Sequence, residues 1–226
     1  MSKKIFITGC AKSGTTLLLR MFYAFKNTEI LYREGFDGHE LPFEDFVEHK
    51  SDKMFTVGKR HPPSLLSNVL LPGFEEQHKI IKDKNIGIIN VVRDGRDVLL
   101  SDGNYVKPRR WIESIRQRNT FRDVIDLEVR YEDLIRSPKK VQGIIEQRFG
   151  LESEHCFSQY PEYVEDWVFE WNVSVMARAG KGNKDGYGKR KLSDVSIGKD
   201  LEAYKEICDE FEIPAFNSCL RELGYI

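Results

Sequence analysis

The sequence predicts a three-layer α/β/α fold with a central parallel sheet, and three observations predict it. Short apolar runs alternate with helix-forming stretches along the chain, a glycine-framed turn joins the first run to the first helix, and basic side chains stand just after the runs. Runs that are apolar throughout suit strands covered on both faces, the condition of a parallel sheet. The pattern places strands near 3–8, 54–58, 86–92 and 125–130. It places helices near 14–26, 42–50, 63–71, 95–104, 108–119, 138–149, 161–177 and 199–223, the last broken at Pro214. Ligands of such sheets bind at the carboxyl ends of the strands. Lys12, His61 and Arg93 each follow a strand, so the sequence expects all three on one edge.

The first element carries the most chemistry. Lys4–Thr8 is a buried-strand run, Thr16–Phe22 has high helix propensity, and Gly9-Cys10-Ala11-Lys12-Ser13-Gly14-Thr15-Thr16 lies between them. The frame is that of a phosphate-binding loop, G-x-x-x-x-G-K-[ST], and makes the fold P-loop NTPase-like. Its glycines let backbone N–H groups approach an anion, which the start of the following helix then helps to hold. In a nucleotide kinase the lysine after the second glycine reaches the β- and γ-phosphates, but here Thr15 fills that slot and Lys12 lies three residues earlier. Lys12 is thereby expected over the first phosphate beyond the ribose.

Lys12-Ser13-Gly14-Thr15-Thr16-Leu17 resembles the 5′-phosphosulfate loop, K-S-G-T-T, of the sulfotransferases that use 3′-phosphoadenosine 5′-phosphosulfate (PAPS). Cytosolic members usually carry tryptophan where Leu17 stands. A second match follows the run Asn85–Val92, where Arg93-Asp94-Gly95-Arg96-Asp97-Val98-Leu99-Leu100-Ser101 is similar to the family's 3′-phosphate element, with arginine at the strand end and serine eight positions later. An arginine offers a phosphate a fork of donors and a serine adds a hydroxyl. The plainer reading pairs Arg93 with Asp94 or Asp97. Lys59-Arg60-His61-Pro62 is similar to the family's K-x-H, in which histidine is the base and lysine lies beside the sulfuryl group. Histidine suits proton abstraction near neutrality, since its unperturbed pKa is about 6.5. A carboxylate such as Glu34 or Glu40 is the alternative base, as in relatives that use glutamate.

Leu127–Leu134 resembles the family's strand ending in Y-E-D-L, followed by Ser137-Pro138, a helical N-cap and first position, and by Phe149-Gly150-Leu151. The resemblance implies that Tyr131 reaches adenine; packing at the strand end is the equal alternative. Gly186–Ser193 resembles a loop, G-x-W-K-x-x-L-S, that covers the nucleotide, and implies contacts from Lys184, Gly188, Lys189 and Arg190. Between Lys181 and Lys191 stand five basic residues and one acid, enough to attract a multiply charged nucleotide. Leu223-Gly224-Tyr225 closes the chain as in many relatives.

The resemblance implies a single sulfotransferase domain over 1–226. It implies transfer of a sulfuryl group from PAPS to a hydroxyl or amine of a small-molecule, saccharide or peptide acceptor. The site implied is Lys12, Ser13, Gly14, Thr15, Thr16, Leu17, Arg93, Ser101 and Tyr131 around the nucleotide, with Lys12, Lys59, His61 and Ser101 catalytic. No metal is called for, because a transferring sulfuryl group carries less charge than a phosphoryl group and fixed cations can serve. A P-loop nucleotide kinase and a non-catalytic nucleotide-binding protein remain as alternatives.

Composition agrees with a soluble domain: 226 residues, 40% hydrophobic and 31% charged, with a net charge of −1 that gives no general attraction to nucleic acid. No apolar stretch approaches the roughly 20 residues of a membrane span, and the N-terminus is not a signal peptide, so the expected location is cytoplasmic. Cys10, Cys156, Cys208 and Cys219 show no metal-binding spacing and read as free thiols. From Glu29 to Asp52 there are eight acids against Arg33 and Lys50. That balance suits an aromatic, neutral or cationic acceptor better than a polyanionic glycosaminoglycan, unless the acids simply face water.

Overall fold

The computed structural model describes residues 2–31, 43–59, 74–101, 106–165, 168, 192, 197–198 and 202–226. In chain order the elements are β1 (Lys3–Gly9), α1 (Thr15–Met21), β2 (Thr28–Ile30), α2 (Phe43–Glu48), β3 (Phe55–Lys59), α3 (Phe74–Asp83) and β4 (Gly87–Val92). There follow α4 (Gly95–Leu99), α5 (Pro108–Thr120), β5 (Leu127–Arg130), α6 (Tyr131–Arg136), α7 (Pro138–Phe149) and α8 (Ile213–Glu222). The strands form one five-stranded sheet in the order β2-β3-β1-β4-β5, and every pairing is parallel.

Alternation along β1 sorts its side chains to two faces. Ile5 and Ile7, with Val57, Ile89 and Val91, meet Leu18 and Leu19 of α1 and Val141 and Ile145 of α7. Phe6 and Ile88 meet Phe43 and Phe46 of α2, Ile81 of α3 and Phe121. The result is three layers. A further apolar cluster joins Val98 and Leu99 of α4, Trp111 and Ile115 of α5, and Phe216 and Leu220 of α8. From β1 the chain passes to β2 and β3 on one side, then crosses to β4 on the other. The loops leaving β1 and β4 therefore diverge, which opens a crevice at the switch point.

Several elements differ from the sequence expectation. Helix α1 ends at Met21 instead of running to 26, and Phe22–Ala24 tightens into a 3₁₀ turn. Phe25 leaves the helix to pack edge-on against Phe157, with centroids 5.4 Å apart, and to bridge Ser153. The edge strand β2 is unanticipated because Thr28-Glu29-Ile30 is short, half-buried and not an apolar run. Helices α3 and α6 are likewise unanticipated. Tyr131 opens α6, which ends where the Ser137 N–H meets Asp133 O at 2.8 Å. Ser137 occupies the N-cap position of α7, but its side chain makes no capping bond, and Pro138 starts the helix.

Helix α4 stops at Leu99, short of the expected 104. Pro161–Val164 is a turn and not the start of a helix; the rest of that expected helix, save Glu165 and Val168, lies outside the described residues, as does the one at 63–71. In the final segment, Pro214 stands in the first turn of α8 instead of breaking a longer helix, since its missing N–H is no loss there. Ala203–Glu206 ahead of it is a short 3₁₀ helix. Among the described residues no helix is long and apolar enough to cross a membrane.

Candidate functional site

At the mouth of the crevice the chain between β1 and α1 folds into a tight loop. Gly9, at φ 149, is pressed against β4: a Cβ there would lie 2.4 Å from Val91 O. Cys10 O then accepts from both the Ser13 N–H at 3.1 Å and Ser13 Oγ at 2.6 Å. Closing so short a turn forces two left-handed residues, Lys12 at φ 67 and Gly14 at φ 96. Gly14 is the N-cap of α1, and its carbonyl accepts the Leu18 N–H at 3.0 Å. Thr15, in the slot a kinase gives to lysine, is 1% exposed with its methyl turned toward Gly9. Thr16 and Leu17 are half-buried, and Leu17 packs on the α1 side of the core.

Arg93, just past β4, lies against this loop. Its Nη1 donates to Lys12 O at 2.9 Å, and its guanidinium stands 4.3 Å from the centroid of the Tyr131 ring. The same ring touches Gly14, where a Cβ would lie 2.3 Å from Tyr131 Cδ2. Arg93 Nη2 is 3.9 Å from Asp97 Oδ2, while Asp94 takes Arg96 through contacts of 3.0 and 2.7 Å. Asp97 Oδ2 also accepts the Gly198 N–H at 3.0 Å, which ties a described piece of the tail to α4. Burial pushes the Tyr131 phenol up, and the neighbouring Arg93 charge partly opposes the shift.

The fold thus brings Lys12, Ser13, Gly14, Thr15, Thr16, Leu17, Arg93 and Tyr131 together. Lys59, at the end of β3 in register with Ile7, is 1% exposed. Ser101 follows α4, with its hydroxyl donating to Val98 O at 2.6 Å. His61, Lys184, Gly188, Lys189 and Arg190 lie outside the described residues. Among the described residues no group of His, Cys, Asp and Glu could hold a metal ion.

Two features escaped the sequence reading. Glu132 Oε1 accepts the Asp94 N–H and its Oε2 accepts the Tyr225 hydroxyl, both at 3.0 Å, while Arg96 donates to Tyr225 O at 3.2 Å. Arg130 donates to Leu223 O. These bonds fasten the end of the chain behind the arginine-bearing turn, and the Y-E-D-L acid was their only sequence signal. The second feature is the first turn of α5, where Lys107, Arg109 and Arg110 stand without an acid. Arg110 is close enough for its charge to act on Cys10 of the loop, a proximity no sequence spacing announces.

Cys10 is 5% exposed, and burial pushes its thiol up to about 11, with Ser114 and Arg110 opposing the shift. The thiolate is the reactive form, so a short iodoacetamide pulse at pH 7.5 is expected to label Cys156, which is half-exposed, and to spare Cys10 until the chain unfolds. Peptide mapping by mass spectrometry checks this; Cys10 labelled as fast as Cys156 would mean that the loop opens readily.

A parallel sheet with a glycine-framed loop at its switch point defines a three-layer protein of the phosphate-loop class. No family model matches the chain, and no curated protein does either. Solved structures do. A mouse sulfotransferase, SULT7A1, complexed with PAP superposes with a TM-score of 0.52 at 14% identity, covering 97% of this chain and 84% of that one. A sulfotransferase domain from the curacin biosynthetic pathway gives 0.49 at 14%, covering 100% and 99%. A retinol dehydratase in a complex with retinol and PAP gives 0.48 at 16%, covering 97% and 80%. The first of these superpositions shows that the chain has the fold of a sulfotransferase.

Proposed function

We propose that the protein is a PAPS-dependent sulfotransferase acting on a hydroxyl or amine acceptor. The observation that carries the reading is the junction of its two phosphate elements, with Arg93 Nη1 bonded at 2.9 Å to the carbonyl of Lys12. The N–H groups of the loop and Lys12 take the 5′-phosphosulfate, and Arg93 with Ser101 takes the 3′-phosphate. Thr15 in place of the kinase lysine supports this chemistry over ATP-dependent phosphoryl transfer.

Transfer proceeds by in-line displacement. His61 removes the acceptor proton as the acceptor oxygen or nitrogen bonds to sulfur. The bond from sulfur to the 5′-phosphate oxygen breaks, and its electron pair stays on the bisphosphate. Lys59 steadies the equatorial sulfuryl oxygens, Lys12 the departing oxygen, and Ser101 turns from its helix carbonyl toward Lys12. Fixed cations in a dry crevice stabilise developing charge without reorganising. Lys184, Gly188, Lys189 and Arg190 are the further residues assigned to nucleotide binding in this reading.

The test is calorimetric titration with adenosine 3′,5′-bisphosphate, AMP, ADP and ATP, with and without magnesium. The expected result is a magnesium-independent preference for the bisphosphate over AMP. At 100 times its dissociation constant, it should stabilise the chain by about 2.7 kcal/mol. Preference for magnesium-ATP would refute the reading in favour of a kinase. Tight bisphosphate binding with no transfer to any of a broad acceptor panel would favour a non-catalytic binding protein.

A further inference from the structure

We infer that Tyr131 and Arg93 form a clasp that holds the loop in its phosphate-binding shape, so that Tyr131 is a positioning residue for the loop. The inference rests on the reading that the loop takes the 5′ end of the nucleotide. Both left-handed positions of the loop are engaged. Arg93 Nη1 holds the carbonyl of Lys12, at φ 67, and the Tyr131 ring lies against Gly14, at φ 96. The two braces are themselves stacked, with the guanidinium 4.3 Å from the ring centroid, so neither moves without the other. Left-handed residues revert easily to other conformations unless their surroundings over-determine them. Here these two side chains belong to those surroundings.

The ring is committed to this place. Tyr131 is 8% exposed, and its Cδ2 and Cε2 lie where a Gly14 Cβ would come within 2.3 and 2.8 Å of them. A ring that swung out to stack on a base would give up this contact and leave Gly14 without it. The brace needs the ring and not the hydroxyl, which separates it from an adenine contact made through the phenol. The arginine of the 3′-phosphate element also supports the 5′ loop, so the two phosphate sites are mechanically linked.

Binding of the full chain and its variants is measured with two probes: adenosine 3′,5′-bisphosphate by calorimetry, and inorganic pyrophosphate, which has no base, by shifts of the Gly14 and Thr15 amide resonances. Tyr131→Phe is expected to bind both within about threefold of wild type, and Tyr131→Leu to lose at least about tenfold for both, with faster amide exchange at Ser13 to Thr15. If Tyr131→Leu weakens the bisphosphate and leaves pyrophosphate unchanged, the residue contacts the base and the clasp is refuted. Wild-type binding by Tyr131→Leu refutes it as well. If Tyr131→Leu does not fold, Arg93→Lys replaces it: the charge stays, the planar fork is lost, and pyrophosphate binding must still fall about tenfold. Unchanged pyrophosphate binding by that variant overturns the clasp. Wild-type protein that binds neither probe overturns the reading of the loop itself, a result distinct from every outcome among the variants.

Discussion

Gly14→Ala is expected to lower the melting temperature by on the order of 10 °C and to weaken adenosine 3′,5′-bisphosphate binding by on the order of 100-fold. Two separate penalties act. At φ 96 and ψ 10 the residue is in a region that costs an L-amino acid about 1–2 kcal/mol. The new Cβ would also lie 2.3 Å from Tyr131 Cδ2, a clash relieved only by moving a buried ring, and overpacking of that kind costs about 1–3 kcal/mol. In a chain of this size each kcal/mol shifts the melting temperature by about 2–4 °C. The binding loss follows from the same movement, because a displaced turn no longer aims its N–H groups at one anion, and each hydrogen bond to a charged group is worth about 1.5–3 kcal/mol.

A double-mutant cycle separates the two penalties. Tyr131→Ala removes the ring that the new methyl strikes but leaves the backbone angle unchanged. Gly14→Ala in that background should therefore cost only the backbone part, and the cycle should show a coupling of about 0.5–3 kcal/mol. Strict additivity in thermal unfolding would mean that ring and loop are not in contact in solution.

The apolar runs at Ile5–Ile7 and Ile86–Val92 announced their strands because both faces of the sheet are covered, which leaves no polar alternation to confuse the pattern. The glycine frame announced the loop because so tight a turn needs Gly14 at positive φ. What the sequence concealed was set by contacts remote along the chain. Phe25 leaves its helix for Phe157, and β2 exists because β3 offers it a backbone edge. Arg93 shows the same limit at the site. Its spacing from Ser101 marked it for a phosphate, yet nothing in that spacing says that its Nη1 is already bonded to Lys12 O. The plainer reading of Arg93 was also partly visible, for Asp97 stands 3.9 Å away while Asp94 belongs to Arg96. The tail shows it again: Leu223-Gly224-Tyr225 was read only as a family ending, whereas Glu132, Arg96 and Arg130 make it the back wall of the arginine turn.

Lys12→Gly should separate stability from catalysis, with turnover falling on the order of 100- to 1,000-fold and the melting temperature staying within about 3 °C of wild type. A fixed cation at a developing oxyanion is worth about that factor in rate, by analogy with loss of one oxyanion donor. The small stability change follows from the backbone. At φ 67, glycine sheds about 1–2 kcal/mol of left-handed strain while adding about 0.5–1 kcal/mol of chain entropy, so only a small net gain of about 0.5–1 kcal/mol is left. The bond from Arg93 goes to the carbonyl of residue 12 and not to its side chain, so the clasp survives the change. Lys12→Ala should lose the same turnover but melt lower than Lys12→Gly by a few degrees, because it keeps the strain. Steady-state kinetics with PAPS and an acceptor found by screening, set beside thermal unfolding of both variants, decides the matter. Turnover within threefold of wild type in Lys12→Gly would remove Lys12 from the departing oxygen and leave Lys59, buried at the end of β3, as the cation there. Equal melting of the two variants would show that relief of the left-handed strain does not exceed the entropy that glycine adds at this position.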